Sequence, residues 1–320
     1  MAEVEEGKGV AATVKSIWVY PIKSCEEFSL PQAPISPTGL GIPEIGFRWD
    51  RQWLVVNSKG RAYTQRNEPR LALVGVELPN EAFSEDWEPN KHSYLVIKAP
   101  SMDVLKVPLN EIKLKQWMVS QLWEWSGSAV DEGAAAAQWF SNYLGKPSRL
   151  VRFNDASEVR PVDPNYARGY RVMFSDQYPF LLLSQGSLNA LNALLREPVP
   201  INRFRPNIVV DGCEPFMEDL WTEIRISKLR FQGVKLCSRC KVPTINQETA
   251  VARPELNETL MSFRSDKVLR PNMKQQQGRV YFGQNMVCID SLTQGNTKII
   301  KVGDPVFVLK MVSSAADAAA

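Results

Sequence analysis

The chain is short of histidine, of paired cysteines and of long apolar runs, and each shortage removes a class of protein. Zinc takes four ligands, and the single histidine, His92, lies far from the one CxxC pair, with no second CxxC and no HxxxH to help. A structural zinc site is therefore not expected. The five cysteines, Cys25, Cys213, Cys237, Cys240 and Cys288, are odd in number and scattered, unlike the even set of a small secreted disulfide scaffold. They point to a reducing compartment. No run of about 18 apolar residues occurs, so no transmembrane helix is expected. Met1 to Ala12 is acidic and lacks an apolar core, and reads as neither a signal peptide nor an Arg-rich transit sequence. The expected location is cytoplasmic. A net charge of +3 calls for no nucleic-acid or membrane partner. There is no G-x-G-x-x-G fingerprint, which argues against a bound dinucleotide.

What is present is ordinary globular material punctuated as a β protein. The 320 residues are enough for about two domains, and 44% hydrophobic with 23% charged residues is a soluble composition with ample core. The 22 prolines and 18 glycines suit many short strands with tight corners, as in a barrel or sandwich. Strands are predicted at Val14 to Tyr20, Trp53 to Val56, Arg61 to Gln65, Leu71 to Leu78, Tyr94 to Lys98 and Val104 to Leu109. Asn57-Ser58-Lys59-Gly60 is the hairpin signal between the second and third of these. Further strands are predicted at Ile208 to Val210, Ile224 to Phe231, Arg279 to Ile289 and Lys298 to Leu309. Helices are few: Asp131 to Leu144 stopped by Gly145, Ser187 to Arg196, and Pro254 to Arg264. The fold class is mainly β with a few helices. A flexible tail over 1–12, domains over 13–145 and 146–311, and a tail over 312–320 are expected, with the break near Gly145 to Ser157.

The chemistry is expected at Cys237-Ser238-Arg239-Cys240, followed by Lys241, on a connection between strands. Adjacent positive charge lowers a thiol pKa and raises the thiolate fraction, the form that attacks electrophiles or binds soft metals. Val242-Pro243-Thr244-Ile245 after it reads as a strand, whereas a thioredoxin-type dithiol opens a helix. A single thiolate ligand for a soft metal is the remaining chemical reading, beside the bland one of two cysteines in a turn. Cationic, turn-rich segments recur elsewhere: Lys23-Ser24 after a strand, Asp50-Arg51 before one, and Arg203-Phe204-Arg205-Pro206-Asn207 before another. Arginine and lysine with hydroxyl or amide neighbours suit an anionic phosphate.

Six pieces in order carry a resemblance: Val19-Tyr20-Pro21-Ile22-Lys23-Ser24-Cys25; Asp50-Arg51-Gln52-Trp53-Leu54-Val55; Ser175-Asp176 with Pro179-Phe180-Leu181; Phe204-Arg205-Pro206-Asn207-Ile208; the Cys237–Cys240 tetrad; and Lys301-Val302-Gly303-Asp304-Pro305-Val306. Together they resemble the MOSC proteins of the mitochondrial amidoxime reducing component family, from about residue 13 to 310. The resemblance implies an N-terminal β-barrel domain followed by a MOSC-type β-barrel, and a molybdenum cofactor, Mo-molybdopterin. It implies that Cys240 is the protein thiolate on the metal and the catalytic residue. Lys23, Ser24 and Arg51 would hold the cofactor from the first half; Asp176, Arg205, Asn207, Ser238 and Arg239 would complete the cradle from the second, with Cys237 a neighbour. Two departures stand out. Animal members carry an N-terminal targeting and anchoring segment not seen here, which leaves outer-mitochondrial-membrane association as the alternative location. Asn285 follows Phe282-Gly283-Gln284 where some members have tyrosine.

The activity implied is reduction of N-hydroxylated compounds such as amidoximes and hydroxylamines, with nitrite reduction to nitric oxide as a second activity. Electrons would come from cytochrome b5 and NADH-cytochrome b5 reductase; a modestly basic protein suits an acidic haem partner. The alternative is a cofactor-carrying or sulfur-relay MOSC protein without reductase activity, although the chain has no room for a pyridoxal-phosphate desulfurase domain. Outside the family, a thiol oxidoreductase would use Cys237 and Cys240 as a dithiol.

Overall fold

The computed structural model describes residues 9–41, 49–84, 87–111, 115–272, 276–293 and 298–318. Of the expected tail over 1–12, residues 1–8 lie outside them, and Ala12 is corrected to the first, buried residue of a strand. The organising element is Ala12–Val19, whose alternating pattern buries Ala12, Val14, Ile17 and Val19 and turns Lys15 outward to Asp211. The period of two that a half-buried strand requires is interrupted once, by an irregularity between Val14 and Ser16 that moves the buried set from even to odd positions. This first strand closes a barrel made otherwise of second-half strands. The order runs Ile208–Asp211, Phe180–Ser184, Tyr281–Cys288, Leu229–Ser238, Trp221–Ile226, Pro305–Met311 and Ala12–Val19. Antiparallel pairing of Thr13 with Asp211 and Ile17 with Ile208 returns it to the start. Closure removes both sheet edges. All eight residues of Tyr281–Cys288 are buried, as befits a central strand. Phe180, Leu182, Ile208, Trp221, Phe231 and Met286 form part of the core with residues of the first strand.

The first half contributes a four-stranded antiparallel sheet, Trp53–Asn57, Ser148–Phe153, Trp125–Asp131 and Gln116–Leu122, and a three-stranded one, Gly75–Glu77, Tyr94–Lys98 and Leu105–Pro108. The helix Ala134–Leu144 ends at Gly145 in the left-handed conformation that glycine adopts freely. Gln185–Asn192 starts from Ser184, whose Oγ accepts the Ser187 N–H at 3.0 Å. Glu255–Arg264 is the third expected helix. Mainly β with few helices is what the molecule is.

Several predicted strands are differently built. Leu71 to Leu78 is not one strand: Pro69 opens a 3-10 turn over Pro69–Leu73, leaving only Gly75–Glu77 extended. Val242 to Ile245 is likewise a 3-10 turn, Val242–Thr244, because Pro243 fixes φ and has no N–H for a ladder. Ile224 to Phe231 is two strands broken by Ser227 in left-handed conformation. In Arg61 to Gln65 only two isolated bridges form, Arg61 to Gln121 and Ala62 to Val56, and the chain then leaves the sheet as a loop. Of the expected C-terminal tail, Ala318 is buried in a cluster with Leu236 and Tyr281, behind a turn in which the Ser313 and Ser314 hydroxyls donate to Asp317.

Candidate functional site

Three chain segments are zipped together where the first half meets the barrel. At the end of the first strand, Tyr20 C=O accepts the Arg51 N–H at 2.7 Å and Pro21 C=O the Trp53 N–H at 3.0 Å, while the Lys23 N–H donates to Trp53 C=O at 2.8 Å. From the barrel, the Asn207 N–H donates to Leu181 C=O and its own C=O accepts the Trp18 N–H, both at 2.8 Å. The end of the Leu229–Ser238 strand is fixed by the Arg239 N–H on Val280 C=O at 2.8 Å. These bonds bring Lys23, Ser24, Arg51, Asp176, Arg205, Asn207, Ser238, Arg239 and Cys240 to the wall of one cleft. The cleft opens to solvent.

The inner wall is a knot of buried charge. Tyr20 is fully buried, with the guanidinium carbons of Arg51 and Arg205 at 4.2 and 4.3 Å from its ring centre. Its hydroxyl donates to Pro206 C=O at 3.0 Å, and burial holds that hydroxyl far above the ordinary tyrosine pKa. Arg51 donates to buried Asp50 at 2.5 Å, to Asn207 Oδ1 at 3.0 Å and to Arg205 C=O at 3.2 Å. Arg205 donates to Cys25 C=O at 2.7 Å. Ser24, Arg51 and Arg205 all have φ between 52° and 69°. Non-glycine residues rarely adopt that conformation and keep it only where surrounding bonds over-determine it.

The floor and rim are different. Lys23 is buried, donates to Phe174 C=O at 2.8 Å and pairs with Asp176. Burial lowers the Lys23 pKa to about 8 despite that partner. Burial by itself would raise the pKa of Asp176, but the Lys23 charge and hydrogen bond, with Arg66 and Arg51, hold it below the usual carboxylate value. The Asp176 side chain is nonetheless 61% exposed, so water and salt screen this pair. Arg160, nine-tenths buried, ties the loop beneath by donating to the Met173, Ser175 and Asp176 carbonyls.

The two cysteines of the tetrad differ. Burial raises the pKa of Cys237 in spite of Arg239, which donates to its sulfur at 3.0 Å. The expectation that adjacent cations make both thiols acidic is thus corrected at Cys237, where desolvation wins. Cys240 is half-buried in the cleft wall, and its sulfur accepts from the Val242 N–H at 3.5 Å. All five cysteines are free thiols.

The cleft also contains residues that sequence reasoning did not single out: Thr64, Arg66, Trp123 and Tyr178. Trp123 sits in a tight connection between two strands with φ of 57°. No local pattern marks these residues, since their positions depend on how distant strands pair. Asn285 lines the cleft and is nearly buried.

Among the described residues, five cationic side chains line the cleft against one carboxylate, Asp176. Arg205 Nη1, Arg239 Nε and Ser175 Oγ, all on residues of the cleft wall, are buried without a hydrogen-bond partner. Such donors are expensive to leave unmatched, and burial lowers the Arg205 pKa from its ordinary value. The arrangement suits a multiply anionic ligand beside a single thiol. Among the described residues no group of three or more His, Cys, Asp or Glu could hold a bare metal ion. A metal here would have to bring most of its own ligands.

Comparison with known families and proteins gives an independent result. The family model for the MOSC N-terminal beta barrel domain matches residues 11–147, and that for the MOSC domain matches residues 169–307. The chain is 34% identical over 306 residues to the mitochondrial amidoxime-reducing component 1 of Homo sapiens, covering 93% of this chain and 83% of the relative. To component 2 of Bos taurus it is 35% identical over 257 residues, covering 79% and 72%. To component 2 of Rattus norvegicus it is 33% identical over 305 residues, covering 92% and 82%.

Proposed function

The chain belongs to the mitochondrial amidoxime-reducing component family, and from that membership we propose that it is a molybdenum-cofactor-dependent reductase of N-hydroxylated compounds, amidoximes and hydroxylamines, with nitrite as a further substrate. One observation carries the reading: residues from both halves, Lys23, Ser24 and Arg51 with Arg205, Asn207, Arg239 and Cys240, converge on one cleft with unmatched donors. When bound, the cofactor supplies a two-electron redox centre at which an N–O bond can be cleaved. The protein's part is to hold and shape. Cys240 offers one sulfur, which suits a soft metal that brings other sulfur ligands with it. Arg205, Arg239 and Ser175 offer their unmatched donors to a phosphate, and Lys23 and Arg51 add charge. The Tyr20 knot keeps Arg51 and Arg205 in place so that little reorganisation accompanies binding. Lys23, protonated below about pH 8, holds a proton beside the anion.

The overall conversion, R–NHOH with two electrons and two protons to R–NH2 and water, needs an outside electron donor. Cytochrome b5, reduced by NADH-cytochrome b5 reductase, fills that role in this proposal. Among the described residues no helix is long and apolar enough to cross a membrane.

Metal analysis of purified protein tests the reading directly. The expected result is one molybdenum per chain in the wild type, none in Cys240→Ser, and near-normal content in Cys237→Ser. Equal content in wild type and Cys240→Ser would overturn the assignment of Cys240 as the ligand.

A further inference from the structure

Four of the five cationic side chains on the cleft wall spend hydrogen bonds on the protein: Lys23 on Phe174 and Asp176, Arg51 on Asp50 and Asn207, Arg205 on Cys25, and Arg239 on Phe204. Arg66 spends none. Among the described residues its guanidinium makes no hydrogen bond and no ion pair; it rests on the Trp123 ring, 3.8 Å from the ring centre. It is half-buried at the cleft and close enough to Asp176 to lower that carboxyl's pKa. Stacking on an aromatic face fixes a guanidinium in space while leaving its N–H fork unused. The perch itself is held under backbone strain: Trp123 has φ of 57°, uncommon for so bulky a residue, and strain of this kind collects at ligand clamps.

From this contrast we infer that Arg66, perched on Trp123, is a separate subsite for an exchangeable planar oxyanion, nitrite or the carboxylate of a small substrate, and is not part of the grip on the resident cofactor. Arginines bonded to backbone carbonyls are built for a ligand that stays. An arginine with all five donors free can donate two parallel hydrogen bonds to the two oxygens of one anion and release them again. The inference deepens the reductase reading by naming an anionic class of substrate for the same cleft, and it rests on that reading for its biological sense. The binding claim does not depend on turnover.

The test uses the full chain as purified, without an electron donor, so that nothing is reduced. Labelling of arginines with phenylglyoxal is followed by mass spectrometry at increasing nitrite, and separately at increasing benzoate. Both anions are expected to slow labelling of Arg66 in a saturable way. Protection by nitrite alone assigns a small-ion subsite; protection by benzoate as well extends it to carboxylate substrates. Nitrite affinity measured by calorimetry should fall at least about tenfold in Arg66→Gln, less in Arg66→Lys, and roughly three- to fivefold in Trp123→Leu, where the arginine keeps its charge and loses its perch. Molybdenum content should be the same in all four proteins. Unprotected Arg66, or unchanged nitrite affinity in Arg66→Gln, overturns the subsite. Loss of molybdenum in Arg66→Gln also overturns it, because Arg66 would then grip the cofactor. A chain with no molybdenum whose Arg66 is still protected by nitrite would refute the reductase reading and keep the subsite.

Discussion

The inner wall of the cleft and its rim use the same residue types to opposite ends. On the inner wall, Asp50 is fully buried and Arg51 nearly so, their charges meet at 2.5 Å, and Tyr20 is packed between two guanidinium groups. At the rim, Lys23 meets Asp176 with the carboxylate mostly in water, and Arg66 lies on Trp123 with no bonded partner among the described residues. Burial makes the first set a fixture: a buried pair cannot open without stranding a charge in a poor solvent. Exposure makes the second set available, since water can replace either partner at little cost. A site that must keep one ligand and exchange another needs both kinds of wall.

The largest effect should come from breaking the buried pair. Asp50→Ala removes the partner of Arg51 and the acceptor of the Tyr20 N–H, bonded at 3.0 Å. A stability loss of about 3–5 kcal/mol is expected in denaturant unfolding. Asp176→Ala at the rim should lose less than about 1 kcal/mol in the same assay. Similar losses at the two positions would remove the distinction between the walls.

The Tyr20 ring separates packing from charge on the inner wall. Tyr20→Leu removes two desolvated cation–π contacts, and a loss of about 2–4 kcal/mol is expected. Tyr20→Phe keeps the ring and leaves the Pro206 carbonyl without its donor, for a loss of about 1 kcal/mol. If the two variants are equally destabilised, the ring is an ordinary core residue and does not position the arginines.

The sequence resolved the inner wall and, at the rim, Lys23 and Asp176 but not Arg66 and Trp123, for a physical reason. Lys23-Ser24, Asp50-Arg51 and Arg205-Pro206-Asn207 each sit at a strand end, where local punctuation shows a turn carrying cations. Their convergence was an expectation from resemblance, and the structure brings all of them to one cleft. What no local pattern could show is the left-handed backbone of Ser24, Arg51 and Arg205, because tertiary bonds impose it on residues with no intrinsic preference for it. Arg66 and Trp123 were invisible for a related reason. One lies just past the end of the predicted strand Arg61 to Gln65, the other in a connection between strands that were not predicted. Their contact exists only once Arg61 bridges Gln121. Proline misled in two places, Pro69 and Pro243, where apolar β-branched neighbours suggested strands and the fixed φ of the ring made 3-10 turns.

The smallest effect is a pH dependence that joins the two walls through Lys23. Its pKa is lowered to about 8 in the folded chain, from an ordinary value of 10.5, because it is buried. Between those values the unfolded chain carries the proton and the folded chain does not, so this residue makes stability rise with pH across the window. Below about pH 8 the folded chain holds a desolvated ammonium that Asp176 and a bound anion help to relieve. An anion therefore binds best below about pH 8 and loses Lys23 as the pH rises. Sulfate, whose own charge is constant here, makes a clean probe on cofactor-free protein. Its affinity should fall by roughly threefold to tenfold between pH 7.5 and 9.5, and Lys23→Arg should flatten the profile, since arginine does not titrate in this range. Asp176→Asn removes the charge that holds the Lys23 proton, so the fall should move to lower pH. A wild-type profile that is flat would mean that anions never approach Lys23, and that the cradle consists of the inner-wall arginines alone.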